Sequence, residues 1–99
     1  MIKVKVAKSN ISILGHANFA DYGKDIVCAS VSSIVMTSVE SIASIDDKAI
    51  DIKQTDNKLE IIIKSHDLIT NKLIDTMLVL LNELEKKYPK NIKIINKEE

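Results

Sequence analysis

Residues 25–45 read DIVCASVSSIVMTSVESIASI, and the spacing of the apolar side chains within them decides the fold. These side chains recur every three or four residues, which is typical of a helix with one buried face. Many of the residues are poor helix formers, but roughly 20 residues without a turn signal are too long for an ordinary strand. We therefore predict a helix that begins at Asp25 and ends at Asp46-Asp47. The positions that define its buried face are Val27, Val31, Ile34, Val35, Ser38, Val39, Ile42 and Ile45.

Alternating apolar and polar residues on both sides of this helix predict short β-strands. Asparagine tolerates a positive φ, so Ser9-Asn10 is predicted to be the turn between the first two strands. Asp56-Asn57 is predicted to be a hairpin turn after the helix. The predicted strands cover residues 2–6, 50–53, 59–63 and 92–94, together with a strand that starts at Ile11 and runs into Gly15-His16.

A second helix is predicted between the fourth and fifth strands. Ser65 is expected to cap it, with Asp67 in its first turn, and Pro89 ends it. Lys86 and Lys87 suit the negative C-terminal end of the helix dipole. The predicted buried face of this helix consists of Ile69, Leu73, Met77, Leu80, Leu84 and Tyr88.

The order strand, strand, helix, strand, strand, helix, strand predicts an α+β domain of two layers. We expect a small mixed or antiparallel sheet with both helices on one face. A chain of 99 residues supports a single core, so residues 1–96 are predicted to form one domain and residues 97–99 a frayed tail. Leu78, Val79 and Leu81 add apolar surface beside the buried face of the second helix, and we expect a homodimer to cover it.

Composition excludes several classes of protein. Fourteen basic and fourteen acidic residues cancel, so no strong overall field attracts nucleic acid or an anionic membrane. Two tyrosines, one phenylalanine and no tryptophan offer little surface for base stacking. The longest uncharged stretch, residues 26–39, has 14 residues, whereas a membrane-spanning helix needs roughly 20. No signal peptide is evident, and a single cysteine forms no internal disulfide, so we expect a cytoplasmic protein without a direct nucleic-acid or membrane partner.

Residues 15–32, GHANFADYGKDIVCASVS, contain the side chains best suited to chemistry. Cys28 falls in the first turn of the predicted helix, where unpaired backbone N–H groups and the helix dipole favour a thiolate and can hold an oxyanion. His16 ends the second strand, within possible reach of the sulfur, and can take the thiol proton and return it to a leaving amine. Spacing alone also allows Cys28 to be a small buried hydrophobe and His16 to be a loop residue.

Other polar residues near this segment have two interpretations each. Asp25 either caps the helix or orients the histidine, and Ser32 either shares the site with Cys28 or bonds to a backbone carbonyl. His66 is a second candidate base, although its place at the start of the second helix favours a solvated residue. A metal site here has no recognised spacing, so no metal is expected. Its ligands would be His16, Asp21, Asp25 and Cys28.

The same segment resembles the signature of the bacterial ribosomal-processing cysteine protease family, called Prp. The family pattern is a GHA segment, a short loop with a glycine, and DIVCAxVS at the start of a helix. Here the pattern is met by Gly15-His16-Ala17, by Gly23, and by DIVCASVS at residues 25–32, with the family spacing from His to Cys. The resemblance extends to LNELEKKYP at residues 81–89. Ser9-Asn10 departs from it, because a glycine turn is common at that place.

The resemblance implies a cysteine endopeptidase that removes the N-terminal extension of a large-subunit ribosomal protein, number twenty-seven, during ribosome maturation. It implies that Cys28 is the nucleophile and His16 the general base, with Asp25 and Ser32 as supporting residues. It also implies a cytoplasmic homodimer without cofactors. The alternative, from a different class, is a non-catalytic, dimeric, ribosome-associated binding module with a structural cysteine.

The segment between the histidine and the helix is predicted to be a substrate loop. Residues 17–24 have no hydrophobic period, and the glycine among them can absorb a backbone change, so we expect the loop to order over a bound peptide. Phe19 and Tyr22 are equally compatible with a structural role. The residues assigned to this loop are Gly15, Ala17, Phe19, Tyr22 and Gly23.

Overall fold

Five strands and two helices follow one another in the predicted order. The computed structural model describes residues 1–15 and 25–97. The elements are β1 (Ile2–Val6), β2 (Asn10–Leu14), α1 (Asp25–Ile45), β3 (Ile50–Gln54), β4 (Lys58–Ile63), α2 (Leu68–Lys87) and β5 (Ile92–Asn96).

The strands form one mixed sheet in the order β3-β4-β2-β1-β5. β1 and β5 are parallel, and the other neighbouring pairs are antiparallel. Val4 lies opposite Ile13, and Ile13 lies opposite Leu59, so the apolar side chains of three strands fall on the same face. Because side chains alternate along a strand, this register sends the polar residues to the other face.

Both helices cover the apolar face of the sheet. The core joins buried residues of every strand to buried residues of α1 and α2, and among them Ile2, Ile11, Ile61 and Met77 are completely buried. A fully buried side chain of this size contributes about 1.5–3 kcal/mol relative to an exposed one. The predicted α+β fold, with two layers and both helices on one face, is therefore confirmed.

α1 has the bounds and the buried face that its sequence predicts. Val27, Val31, Val35, Val39 and Ile42 are buried, whereas the last residue of the helix, Ile45, is 58% exposed. By length and composition alone, Ile26–Ile45 could cross a membrane, with a mean hydropathy of 1.7. The helix of a soluble core passes the same test, and here one face of α1 packs against the sheet.

Serine hydroxyls along α1 bond to the backbone of the helix itself. Ser30 Oγ donates to the Ile26 carbonyl at 2.7 Å, and Ser38 Oγ donates to the Ile34 carbonyl at 2.8 Å. Such bonds to the carbonyl one turn earlier satisfy the hydroxyl without leaving the helix. The serine-rich sequence is therefore compatible with an uninterrupted helix of 21 residues.

The start of α2 differs from the prediction that Ser65 caps it. Asp67 is the N-cap, and its carboxylate accepts the Thr70 N–H at 2.8 Å. Ser65 instead donates its hydroxyl to the second oxygen of Asp67 at 3.1 Å, so it positions the cap rather than forming it. Aspartate and serine are comparable caps, and the sequence contains both within three residues.

The buried face of α2 is also rotated from the predicted one. Thr70, Ile74, Met77 and Leu81 are buried, whereas the predicted core residues Ile69 and Leu80 are 53% and 42% exposed. Two apolar stripes run side by side along this helix, and spacing alone does not choose between them. Tyr88, Leu73 and Leu84 pack partly against the core.

The outer side of β5 is closed by its own domain. The N–H groups of Ile92 and Ile94 are not used in pairing with β1. Ile92 donates to the Tyr88 carbonyl at 3.2 Å, and Ile94 donates to Glu85 Oε2 at 2.9 Å. Beyond β5, the Lys97 N–H donates to the Val6 carbonyl at 2.7 Å. Residues 98–99 of the predicted tail lie outside the described part of the chain.

Gly15, directly after β2, needs to be a glycine. Its φ is +84°, in the region that L side chains rarely adopt, and its N–H donates to the Asn57 carbonyl at 2.9 Å. A Cβ added to Gly15 would lie 2.8 Å from the Met1 carbonyl oxygen. The backbone turn at the end of β2 therefore depends on the missing side chain.

Replacing Asp67 should expose the pH dependence of the α2 cap. The amide and hydroxyl of Thr70 hold the pKa of the Asp67 carboxyl below its usual value of 3.8. The ionised cap therefore stabilises the fold above pH 3.8, and this contribution is lost as the pH falls through the lower pKa of the folded state. Asp67→Asn retains a capping oxygen but removes the titration.

Urea unfolding at pH 7 and pH 3 measures this effect. We expect the stability difference between wild type and Asp67→Asn to narrow at pH 3, and Asp67→Ala to be less stable than both at pH 7. A difference that is the same at the two pH values would contradict the assignment.

Replacing Gly15 should destabilise the fold in a graded way. Gly15→Ala is expected to lower the free energy of unfolding by about 1–2 kcal/mol from the positive φ alone. The total loss should be larger, because the Met1 carbonyl close to the added Cβ also has to move. Gly15→Asn should cost less, since asparagine tolerates this conformation better. Urea unfolding of the three proteins tests the order, and an alanine variant as stable as wild type would contradict it.

Candidate active site

The first turn of α1 and the end of β2 lie at the same end of the molecule. Ile26 and Ser30 of α1 face Leu84 and Lys87 of α2 across a groove of about 540 Å³, so the two helices are antiparallel. The last turn of α2 leads directly into β5, which starts opposite Ile2, and the start of β1 pairs with the end of β2. The fold therefore brings the helix that carries Cys28 to the strand that leads to residue 16.

Cys28 occupies the first turn of α1, as predicted. It is the fourth residue of the helix, it is partly buried, and one side of it packs against the core. Backbone N–H groups in the first turn of a helix have no partner within the helix, and they carry the positive end of its dipole. A negative charge on sulfur or on a nearby carbonyl oxygen is therefore favoured at this position.

Ser32 lies one turn beyond Cys28 on the same flank of α1, and both side chains are partly exposed. Across the described ranges, the hydroxyls of Ser30, Ser38 and Ser41 each bond to a carbonyl one turn earlier, whereas Ser32 Oγ forms no such bond. Ser32 therefore shares a flank of α1 with Cys28.

His66 lies at the opposite end of the domain from Cys28. Its Nε2 is 3.1 Å from the hydroxyl of Ser9, in the turn that precedes β2, and it comes just before the Asp67 cap. An α1 of 21 residues extends about 30 Å, and most of that length separates the two ends. His66 is thus a helix-start residue, as its sequence context favours, and is too far from Cys28 to act as its base.

Several predicted site residues lie outside the described part of the chain. These are His16, Ala17, Phe19, Asp21, Tyr22, Gly23 and the side chain of Asp25. Gly15 is described, and its unusual backbone sets the direction in which the chain continues. Of the predicted catalytic pair, the structure therefore describes Cys28 and also Gly15, the residue before His16, whereas His16 itself lies outside the described residues.

The groove between α1 and α2 was not predicted. Its walls combine apolar side chains with the charged Glu83 and Lys87. Ile26, two residues before Cys28, is 57% exposed and lines it. The signal for this groove in the sequence was the second apolar stripe of α2, because the exposed Leu80 and the partly buried Leu84 of that stripe form the opposite wall.

Comparison with known proteins gives a consistent result. A family model described as Cysteine protease Prp matches residues 1–93. A Mycoplasma genitalium protein named Ribosomal processing cysteine protease Prp is 36% identical over 102 residues, which cover 99% of this chain and 97% of that protein. A Staphylococcus aureus protein of the same name is 36% identical over 83 residues, covering 81% and 78% of the two chains.

Solved structures agree with the sequence relatives. The crystal structure of the S. aureus ribosomal processing protease Prp with a substrate peptide has a TM-score of 0.88 and 28% identity, covering 98% of this chain and 100% of that one. The same protease with a covalently linked product peptide has a TM-score of 0.86 and 29% identity, with the same coverage. Because the family model spans nearly the whole chain, this protein belongs to the cysteine protease Prp family.

Proposed function

We propose that this chain is a cytoplasmic cysteine endopeptidase that removes the N-terminal extension of large-subunit ribosomal protein number twenty-seven during ribosome maturation. The observation that carries the proposal is the position of the single cysteine, Cys28, in the first turn of α1, partly exposed, in a chain of the Prp family. The S. aureus relative was crystallised with a substrate peptide and with a covalently linked product peptide. A covalent product is what nucleophilic catalysis by a cysteine leaves.

In the proposed mechanism, His16 takes the proton of the Cys28 thiol, and the sulfur attacks the scissile carbonyl carbon. Backbone N–H groups at the start of α1 stabilise the resulting oxyanion. The C–N bond breaks as His16 gives its proton to the leaving amine, and a thioester remains on Cys28. Water, deprotonated by His16, then hydrolyses the thioester and releases the carboxylate product and the thiol.

The supporting residues have distinct proposed roles. Asp25 orients the imidazole of His16, and Ser32 shares the space beside the thiol. The substrate loop, from Gly15 through Ala17, Phe19, Tyr22 and Gly23, orders over the peptide. The backbone of Gly15 supports this arrangement, because its positive φ and the bond from its N–H to the Asn57 carbonyl define the end of β2, where the loop begins.

Removing the thiol or the imidazole should abolish cleavage. We expect Cys28→Ala, Cys28→Ser and His16→Ala to lower the cleavage rate of the extended ribosomal protein by about 10³-fold or more. Mass spectrometry of the products after incubation with the precursor measures the rate and locates the cut. Ser44→Ala, at the opposite end of α1, is the matched control and should cleave like wild type.

Iodoacetamide labelling separates the protease from the alternative, a binding module with a structural cysteine. An activated thiolate should react quickly near neutral pH, and His16→Ala should slow the reaction, whereas a structural thiol reacts slowly in both proteins. Circular dichroism confirms that each variant is folded. Full cleavage by folded Cys28→Ala would refute the proposed nucleophile.

We also propose that the protein is a homodimer. Leu81, one of the three residues behind this prediction, is buried in the core, but Val79 is 55% exposed and Leu78 is partly exposed. These two residues border a hollow of about 270 Å³ between α2 and β5, together with Val6 and Ile94. Exposed apolar surface of this kind favours association with a second copy.

A charge placed in this patch should weaken the dimer. We expect Val79→Lys to shift sedimentation toward the monomer of 11.0 kDa, because a buried lysine at an interface loses its hydration. Thr37→Lys adds the same charge on exposed α1 and should leave the dimer intact. A wild type that sediments as a monomer at all concentrations would contradict the proposal.

A further inference from the structure

The face of the sheet that the helices leave open carries a concentration of lysines. Two neighbouring rows of side chains cross this face. One runs Lys53, Glu60, Ser12, Lys5, Ile95 from β3 to β5, and the other runs Lys58, Leu14, Lys3, Lys93 from β4 to β5. We call the five lysines of these rows the lysine face. Lys3, Lys53 and Lys93 are exposed, and Lys5 and Lys58 are partly exposed.

The positive charge of the lysine face is not balanced within the described part of the chain. Glu60 is the one acid in the two rows, and its carboxylate accepts a hydrogen bond from Asn10 Nδ2 at 2.5 Å. Across residues 1–15 and 25–97, the only ion pair within 4 Å joins Lys64 Nζ and Asp51 Oδ2 at 3.3 Å, outside these rows. The two rows therefore hold five lysines against one carboxylate, that of Glu60.

Two of these lysines are held directly against each other. Lys3 of β1 pairs with Lys93 of β5 in parallel register, so neighbouring strands place their side chains side by side. Like charges directly opposite each other destabilise a sheet. The core-facing pairs Ile2–Ile92 and Val4–Ile94 set this register, and it leaves two adjacent positive charges that an approaching anion would neutralise.

The neutral net charge of the chain conceals this distribution. On the open face, the exposed acid Asp51 of β3 is paired with Lys64. The helical layer carries both signs, with exposed acids at Glu40, Asp75 and Glu83 and exposed lysines at Lys72, Lys86 and Lys87. Lysines therefore outnumber acids on the open side of the sheet, whereas the two signs are mixed on the side of the helices. The expectation of no direct nucleic-acid partner relied on the sum of the charges and not on their arrangement.

We propose that the lysine face binds the phosphate backbone of RNA. Lysine is depleted at protein–protein interfaces, where aromatic and arginine anchors dominate, and the two rows contain no such anchor. A second copy of this chain does not suit the face, because a two-fold contact would oppose lysine to lysine. Lysine contacts to phosphate are the usual source of affinity for nucleic acid.

The side chains of the lysine face determine which part of an RNA it contacts. Without an aromatic side chain in the rows there is no platform for stacking bases, so recognition depends on phosphates and not on sequence. Binding of this kind is weak to moderate and strongly dependent on salt. It needs neither Cys28 nor His16, so it stands independently of the proposed protease activity.

Fluorescence anisotropy with a labelled RNA hairpin of mixed sequence tests the proposal on the intact chain. We expect a Kd of about 10⁻⁴–10⁻⁶ M near physiological salt. Lys3→Gln/Lys93→Gln should weaken binding about tenfold and reduce the salt slope by about 1.5, because two phosphate contacts are lost. The melting temperature of this variant should equal or exceed that of wild type, because the like-charge pair is removed.

Lys72→Gln/Lys86→Gln, on α2, removes the same charge from the helical layer and should bind RNA like wild type. Equal weakening by both double variants would overturn the proposal, since it would indicate a response to net charge alone. So would an absence of RNA binding at low salt. Binding to phosphatidylglycerol vesicles or to polyglutamate but not to RNA would also overturn it, in favour of a membrane or an acidic protein.

Discussion

The packing of one stripe of branched side chains on α1 against the sheet determines where the thiol lies. Val27, Val31 and Val35 point into the core, and a helix rotated by one residue would replace them with Cys28, Ser32 and Met36. Cys28 follows Val27 directly, so it falls on the flank of the stripe, with one side against the core and the other toward solvent. A nucleophile needs this combination of fixed position and access.

Two further constraints bring the parts of the site to one end of the domain. The antiparallel packing of α1 against α2 places the start of one helix beside the end of the other. The pairing of β1 with both β2 and β5 places the end of β2 at the same edge. The segment from residue 16 to residue 24 has therefore only to connect two points that the core already holds. Neither constraint involves Cys28 or His16, the residues proposed for catalysis.

Sequence patterns predicted the elements better than their orientation. The three-and-four spacing of α1 was sufficient because most positions between its valines hold small or polar residues. It failed for α2, where Ile69 and Ile74 belong to competing stripes and only the packing partner decides. The cap of α2 failed for a similar reason, since Ser65 and Asp67 are both good caps and their mutual hydrogen bond is a tertiary detail. The arrangement of charge was not predicted either: the total charge is visible in the sequence, but which lysines share one face of the sheet depends on strand register. For the site, the sequence pattern placed Cys28 in the first turn of a helix, where the structure has it, and the fold places His66 at the other end of the domain.

The side-chain bond from Glu85 to the outermost strand has a consequence for how the sheet meets other chains. An extended polypeptide joins a sheet by exchanging main-chain hydrogen bonds with an unpaired border. At β5 the donors of Ile92 and Ile94 are already engaged by Tyr88 and Glu85, so this border is a poor template. β3 forms the other border of the sheet. Growth of the sheet by an added strand, whether from a ligand or from a misfolded neighbour, is thereby directed to one side of the domain.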